Sequence, residues 1–273
     1  MKLVRPSIEL ATKDCQAILD TKVLQGLARN CPGLLHFDFA NYLECSKVRI
    51  EKTMDALDNI FSIWKKMENR SEMRILDFGS WLSNFSLALH YEGYGVTAAE
   101  MWSRYAPALD AQKRLLADHH VDVIDMSMIT GRPQGPRYNV VLFMAVIEHL
   151  QNSPRQILRT LYDCLLPGGL LILDTPNLAC LANRKRLQVG DSIFPPIEEQ
   201  FYTEAPFEGH VREYTFRELH WMLFSSGFEI IHWEGFDYSN ISFWQSPIGE
   251  IKKSWDWTQR ELIFMTARKP YEK

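Results

Sequence analysis

Several absences narrow what this chain of 273 residues can be. No uncharged apolar run approaches the roughly 18 residues that a membrane-spanning helix needs, so no membrane span is expected. The opening MKLVRPSIELATKD has no apolar run of the kind a secretory signal carries. Cysteine is scarce and poorly arranged: Cys15, Cys31, Cys45, Cys164 and Cys180 are odd in number and widely spaced, with no Cys-x-x-Cys pair. That excludes a disulfide framework or a thiolate zinc site and points to a reducing, cytoplasmic setting. Positive charge is not in excess either. With 30 Lys and Arg against 34 Asp and Glu, the net charge is −4, and no nucleic-acid partner is expected. Internal repeats and low-complexity tracts are missing. Glycine is short where it matters most: the turn Asp77-Phe78-Gly79-Ser80-Trp81-Leu82-Ser83 keeps a single one.

What is present is a large apolar core: 46% hydrophobic and 12% aromatic residues, enough for one α/β domain with additions. Residues 1–70 read as a helical cap. Met54, Leu57, Ile60, Phe61, Trp64 and Met67 fall at helical spacing, and Ile18 to Leu27 suggest an earlier helix ended by Cys31-Pro32-Gly33. From residue 71 to the end, short apolar strands alternate with amphipathic helices. The expected strands are Met73–Phe78, Gly95–Ala99, Val121–Ile124, Tyr138–Met144, Gly169–Asp174, Phe228–Trp233 and Glu261–Ala267. Ser153-Pro154 starts a helix through Leu165, and Thr215-Phe216-Arg217-Glu218 is a capping box for a helix that stops at Gly227. Such alternation predicts a doubly wound, mostly parallel sheet. Residues 178–213 break the rhythm without a clear period and read as a lid insertion.

Ligands of such sheets bind beyond the carboxyl ends of the strands. Gly79 frees the first strand–helix turn for close approach, and Glu100, 21 positions on, stands where a ribose-binding carboxylate belongs. These residues alone define a nucleotide-like site. A nicotinamide-binding reading is weak, because Gly79 is the only glycine of that fingerprint.

The downstream motifs are more specific. The chain resembles the class I S-adenosylmethionine-dependent methyltransferases of the broad small-molecule type over residues 73–233. Ile75-Leu76-Asp77-Phe78-Gly79-Ser80 resembles their first motif and Val96-Thr97-Ala98-Ala99-Glu100 their second. Tyr138 to Leu150 resembles the fourth strand and the turn after it, and Leu166-Pro167-Gly168-Gly169 the turn into strand five. Gly209-His210-Val211-Arg212-Glu213-Tyr214 also recurs in such enzymes. The resemblance implies a seven-stranded Rossmann-like methyltransferase fold and S-adenosylmethionine as cofactor. It assigns Asp77, Phe78, Gly79, Ser80 and Trp81 to the amino-acid end of the cofactor. Glu100 goes to the ribose with Met101 beside it, Asp125 and Met126 to the adenine, and Phe143, Met144 and Ala145 to the reacting end.

His210 is the expected general base, since imidazole titrates near neutrality. Glu148, His149, Arg212 and Tyr214 are candidate substrate contacts. A Glu-x-x-Glu-His metal motif would need a carboxylate where Ala145 stands, so no metal is expected. The expected activity is methyl transfer to an oxygen, or less readily a nitrogen, of a small-molecule acceptor such as a sugar or glycan precursor. Trp81 and Ser83 replace the family's second and third glycines. The alternative is therefore a catalytically impaired binding or scaffold protein in which Trp81 fills the methionine pocket. The tryptophan-rich end, from Trp221 to Trp257, reads as packing around the last strands or a homodimer contact.

Overall fold

The computed structural model describes residues 4–19, 23, 26–27, 37–63, 67–126, 138–203, 207, 209–238 and 256–271. Among the described residues, helices α1 (Pro6–Ala17) and α2 (Phe39–Ile63) precede the sheet. The expected earlier helix around Ile18 to Leu27, the Cys31-Pro32-Gly33 stop and Trp64 lie largely or wholly outside the described residues. Seven strands follow: β1 (Arg74–Phe78), β2 (Gly95–Glu100), β3 (Asp122–Asp125), β4 (Tyr138–Met144), β5 (Leu165–Pro176), β6 (Glu229–Phe236) and β7 (Leu262–Arg268). Their order is β3-β2-β1-β4-β5-β7-β6, with β7 antiparallel to both neighbours and the rest parallel. The expected doubly wound seven-stranded sheet is thus present. Its strand order reverses between β1 and β4, and ligands bind at such a switch point.

Helices α3 (Asn84–Tyr91), α4 (Trp102–Tyr105) and α5 (Asp110–Asp118) connect the first three strands, and α6 (Pro154–Cys164) connects β4 to β5. The expected caps form: Ser153 accepts from the Arg155 N–H, and Thr215 and Glu218 close a reciprocal capping box on α9 (Phe216–Ser225). Gly227 follows with φ +92°, the left-handed stop that favours glycine.

The sheet separates two apolar layers. On one face Ile75, Val96, Val140 and Ile172 pack with Ile8, Leu43, Met54 and Leu57 from the N-terminal helices. On the other, Leu76, Val141, Leu171 and Met265 pack with Leu158, Leu161 and Leu219. The N-terminal helices therefore bury their apolar stripe on the sheet itself.

The structure differs from expectation at the segment 178–213. It is not irregular throughout but holds two short helices, α7 (Leu181–Gln188) and α8 (Ile197–Phe201). Leu187, Val189, Phe194, Ile197, Phe201 and Tyr202 are exposed there, so no buried stripe marks the helices in the sequence. At the C-terminal end, Phe216 packs on Trp233 and Trp257 at centroid distances of 5.6 and 5.1 Å, whereas Trp221 is exposed. Trp244 and Trp255 lie outside the described residues.

Candidate active site

The strand ends β1, β2 and β4 meet at the switch point. Gly79 has φ +85°, and a Cβ built on it would lie 2.5 Å from Val146 Cγ2, so both backbone and space require glycine. Its N–H and that of Ser80 donate to the Ala99 carbonyl at 2.8 and 3.1 Å, which pins the turn to the end of β2. Glu100 is buried. Its carboxylate accepts from the Trp81 N–H at 2.9 Å and from the Met101 N–H at 2.7 Å. Each carboxylate oxygen has a second lone-pair direction, which suits a pair of ribose hydroxyls. Asp125 is paired with Glu100 in register on β3 and accepts from the Ser103 N–H and hydroxyl. Met126 follows at the strand end, half-buried.

Two polar atoms in this turn are buried with no partner: Ser80 Oγ, and Nδ2 of Asn84 in the first turn of α3. Orphaned buried groups of this kind call for a ligand. They fit the polar amino-acid end of S-adenosylmethionine, and no sequence motif singles out Asn84. Asp77 is buried beneath the turn and accepts from Ser86 Oγ at 2.6 Å. Burial pushes its pKa up to about 6, against the lowering effects of Ser86 and of the Arg49 charge.

Trp81 takes a left-handed φ of 35°, and its ring turns to the N-terminal segment. It lies 5.8 Å from Phe39, 5.3 Å from Tyr42 and 6.3 Å from Phe37. Ser83 occupies the helix N-cap position with φ 66°, but its side chain does not cap α3. Instead its N–H donates to Ser80 O at 2.6 Å and its hydroxyl leans on Trp81 O, which closes the turn on itself. The rings of Phe78 and Phe143 meet edge-to-face at 5.8 Å and both side chains belong to the core layer on the second face of the sheet. Met144 is buried in the opposite layer, and Ala145 turns the chain with φ 53° while its N–H donates to Asp174 O at 3.0 Å.

A second group stands one turn further on. Glu148 is fully buried; Oε2 accepts from Thr175 Oγ1 at 3.0 Å and Oε1 has no partner. Its backbone carbonyl accepts from the N–H groups of Val211 and Arg212, which ties the end of the lid to this turn. The imidazoles of His149 and His210 meet edge-to-face at 4.8 Å. His210 Nδ1 lies 3.1 Å from Glu213 Oε1, so a carboxylate that can only accept fixes a proton on Nδ1, and the neutral imidazole then keeps its lone pair on Nε2. Burial pushes the Glu148 carboxyl up to about 7, offset in part by His210. Burial pulls the His210 imidazole down, but the bond to Glu213 and the charge of Glu148 carry it above its ordinary value.

The remaining candidates are tied elsewhere. Arg212 is largely exposed, donates to Glu218 Oε1 at 2.6 Å and lies 5.5 Å over the Tyr214 ring. Tyr214 is buried in the second core layer. Arg49, a residue that sequence reasoning passed over, reaches from α2 to Asp174 at the end of β5 with two bonds of 2.7 Å. Both partners are buried, and Tyr42 accepts a further bond at 3.2 Å.

The fold and the switch-point turn are those of a class I methyltransferase. A profile described as a methyltransferase domain matches residues 49–233, more than half of the chain, and the chain belongs to this family. S-adenosylmethionine is its cofactor. An S-adenosylmethionine-dependent methyltransferase from Archaeoglobus fulgidus has the same fold, with a TM-score of 0.51, 15% identity, and 85% of this chain and 100% of that one covered. One from Methanosarcina mazei aligns at 18% identity and TM-score 0.48, over 73% of this chain and 93% of that one. The 1,6-didemethyltoxoflavin-N1-methyltransferase of Burkholderia thailandensis, solved with its substrate and S-adenosylhomocysteine, aligns at 14% identity and TM-score 0.45, over 82% of this chain and 88% of that one. No curated protein matches the chain. No helix among the described residues is long and apolar enough to cross a membrane.

Proposed function

We propose that the protein transfers the methyl group of S-adenosylmethionine to an oxygen, in preference to a nitrogen, of a small molecule, with sugar or glycan precursors as the acceptor class. The observation that carries this reading is the His210–Glu213 pair, 3.1 Å apart, on the turn that Glu148 ties to the end of β4. A base held in one tautomer by a carboxylate suits an alcohol acceptor, whose proton must leave as it attacks.

Gly79, Ser80 and Asn84 hold the amino-acid end of the cofactor above Asp77. Glu100 holds the ribose beside Met101, Asp125 and Met126 frame the adenine, and the backbone from Phe143 to Ala145 borders the reacting end. When bound, the cofactor supplies an electrophilic methyl group. The protein's own part is to hold the acceptor in line and to take its proton at His210 Nε2. The segment 178–213 covers the acceptor side, with Arg212 and Tyr214 fixing its end.

The impaired-scaffold alternative loses support from the aromatic contacts of Trp81, which occupy its ring with Phe37, Phe39 and Tyr42. Calorimetric titration with S-adenosylhomocysteine tests the cofactor half of this reading. One-site binding is the expected result, and absence of heat at millimolar ligand would sink it.

A further inference from the structure

Three side chains at the end of β4 come together as a donor set. One ligand atom each from Glu148, His149 and His210 lies within 4.8 Å of the others. Glu148 Oε1 is buried there without any partner, a costly state for a carboxylate unless something cationic meets it. The outer contacts are those of metal-holding ligands. His210 gives its far N–H to Glu213, which orients the imidazole and raises its basicity, and Glu148 has its second oxygen fixed by Thr175. We infer that Glu148, His149 and His210 form a binding site for one divalent transition-metal ion, of the zinc or cobalt kind.

The donor set decides between metals. Two imidazoles and one carboxylate suit borderline ions, whereas magnesium and calcium demand oxygen. Ala145 withholds the extra carboxylate a hard cation would need. The absence of Cys-x-x-Cys and of the first glutamate of the longer motif led the sequence to suggest no metal, but two histidines 61 positions apart supply what the local pattern lacks. Three protein ligands leave a coordination position open.

The ion's role, unlike its binding, rests on the methyl-transfer reading. The site is two residues past Val146, whose side chain closes on Gly79 of the cofactor turn. With the ion bound, the His210 Nε2 lone pair is a ligand and no longer a base, so the ion and the acceptor proton compete for the same nitrogen.

The test is titration of the chelator-dialysed full-length protein with zinc chloride by calorimetry and with cobalt chloride by visible absorption. The expected result is one equivalent bound at micromolar affinity or tighter, with a cobalt spectrum of low coordination number. Glu148→Gln, His149→Ala and His210→Ala should each weaken zinc binding by at least about tenfold, and Glu213→Gln by about 10- to 100-fold. S-adenosylhomocysteine binding in the same samples reports folding, and His149→Ala, at the most open ligand, serves if the buried substitutions do not fold. No stoichiometric binding to the wild-type protein, or binding that the four substitutions leave unchanged, would overturn the inference. Zinc binding without S-adenosylhomocysteine binding would uphold the ion site and refute the methyl-transfer reading instead.

Discussion

The two halves of the switch point are built differently. The proposed cofactor half, Asp77 to Asn84 with Glu100, is made by two neighbouring strands and the backbone bonds between them. The proposed acceptor half joins Glu148 to His210 and Glu213 across the segment 178–213, and Arg49, from a helix that precedes the sheet, braces Asp174 next to Thr175, the partner of Glu148. The first is local. The second depends on long-range contacts, so the same fold can keep its cofactor while its acceptor chemistry is remade.

Breaking the acceptor half alone should give the largest functional effect. His210→Ala is expected to lower kcat by about 10²- to 10⁴-fold while S-adenosylhomocysteine affinity stays within a few-fold, as read by steady-state kinetics beside calorimetry. A parallel loss of affinity would mean that the halves are not separable. Arg49→Leu attacks the brace. It leaves Asp174 buried without its partner, and should destabilise the protein by about 3–5 kcal/mol in urea unfolding. A loss under about 1 kcal/mol would show that the ion pair is dispensable, as exposed pairs are.

Asp77→Asn should act in opposite directions on stability and binding. The folded-state pKa of Asp77 is raised from 3.8 to about 6, so the native chain holds a proton there that the unfolded chain has lost. Stability therefore falls as pH rises through that window, and above it the penalty is constant, on the order of 3 kcal/mol. The variant should melt higher than wild type at pH 7, match it at the acid end of the window, and bind cofactor more weakly. A lower melting temperature at pH 7 would contradict the sign. Trp81→Gly is the smallest change. Loss of the aromatic contacts, partly offset by relief of the left-handed backbone, should cost about 2 kcal/mol and leave cofactor affinity nearly unchanged. A clear gain in affinity would restore the picture of Trp81 as a plug.

The same division governs what the sequence reveals. The run Tyr138–Met144 is continuous, apolar and bounded, and β4 has those very ends. β5 begins earlier than its apolar run, at Leu165, because Leu165 pairs with Tyr138 ahead of a register shift that no composition signals. Gly79 and Glu100 announce themselves by spacing. Arg49 and Asp174 lie 125 positions apart and carry no pattern. Trp81 reads as an obstruction until Phe37, Phe39 and Tyr42 are seen beside it. Asn84 is visible only through its orphaned amide in three dimensions.

We propose that residues 77–84 with Glu100 bind the cofactor while His210 acts on the acceptor. One pair of calorimetric titrations with S-adenosylhomocysteine tests it most directly, on Glu100→Ala and His210→Ala side by side. Loss of two hydrogen bonds to a charged acceptor, about 1.5–3 kcal/mol each, should weaken binding to Glu100→Ala by at least about 100-fold. His210→Ala should bind like wild type. Equal affinity in the two variants, or tight binding that survives the loss of the Glu100 carboxylate, would contradict the account.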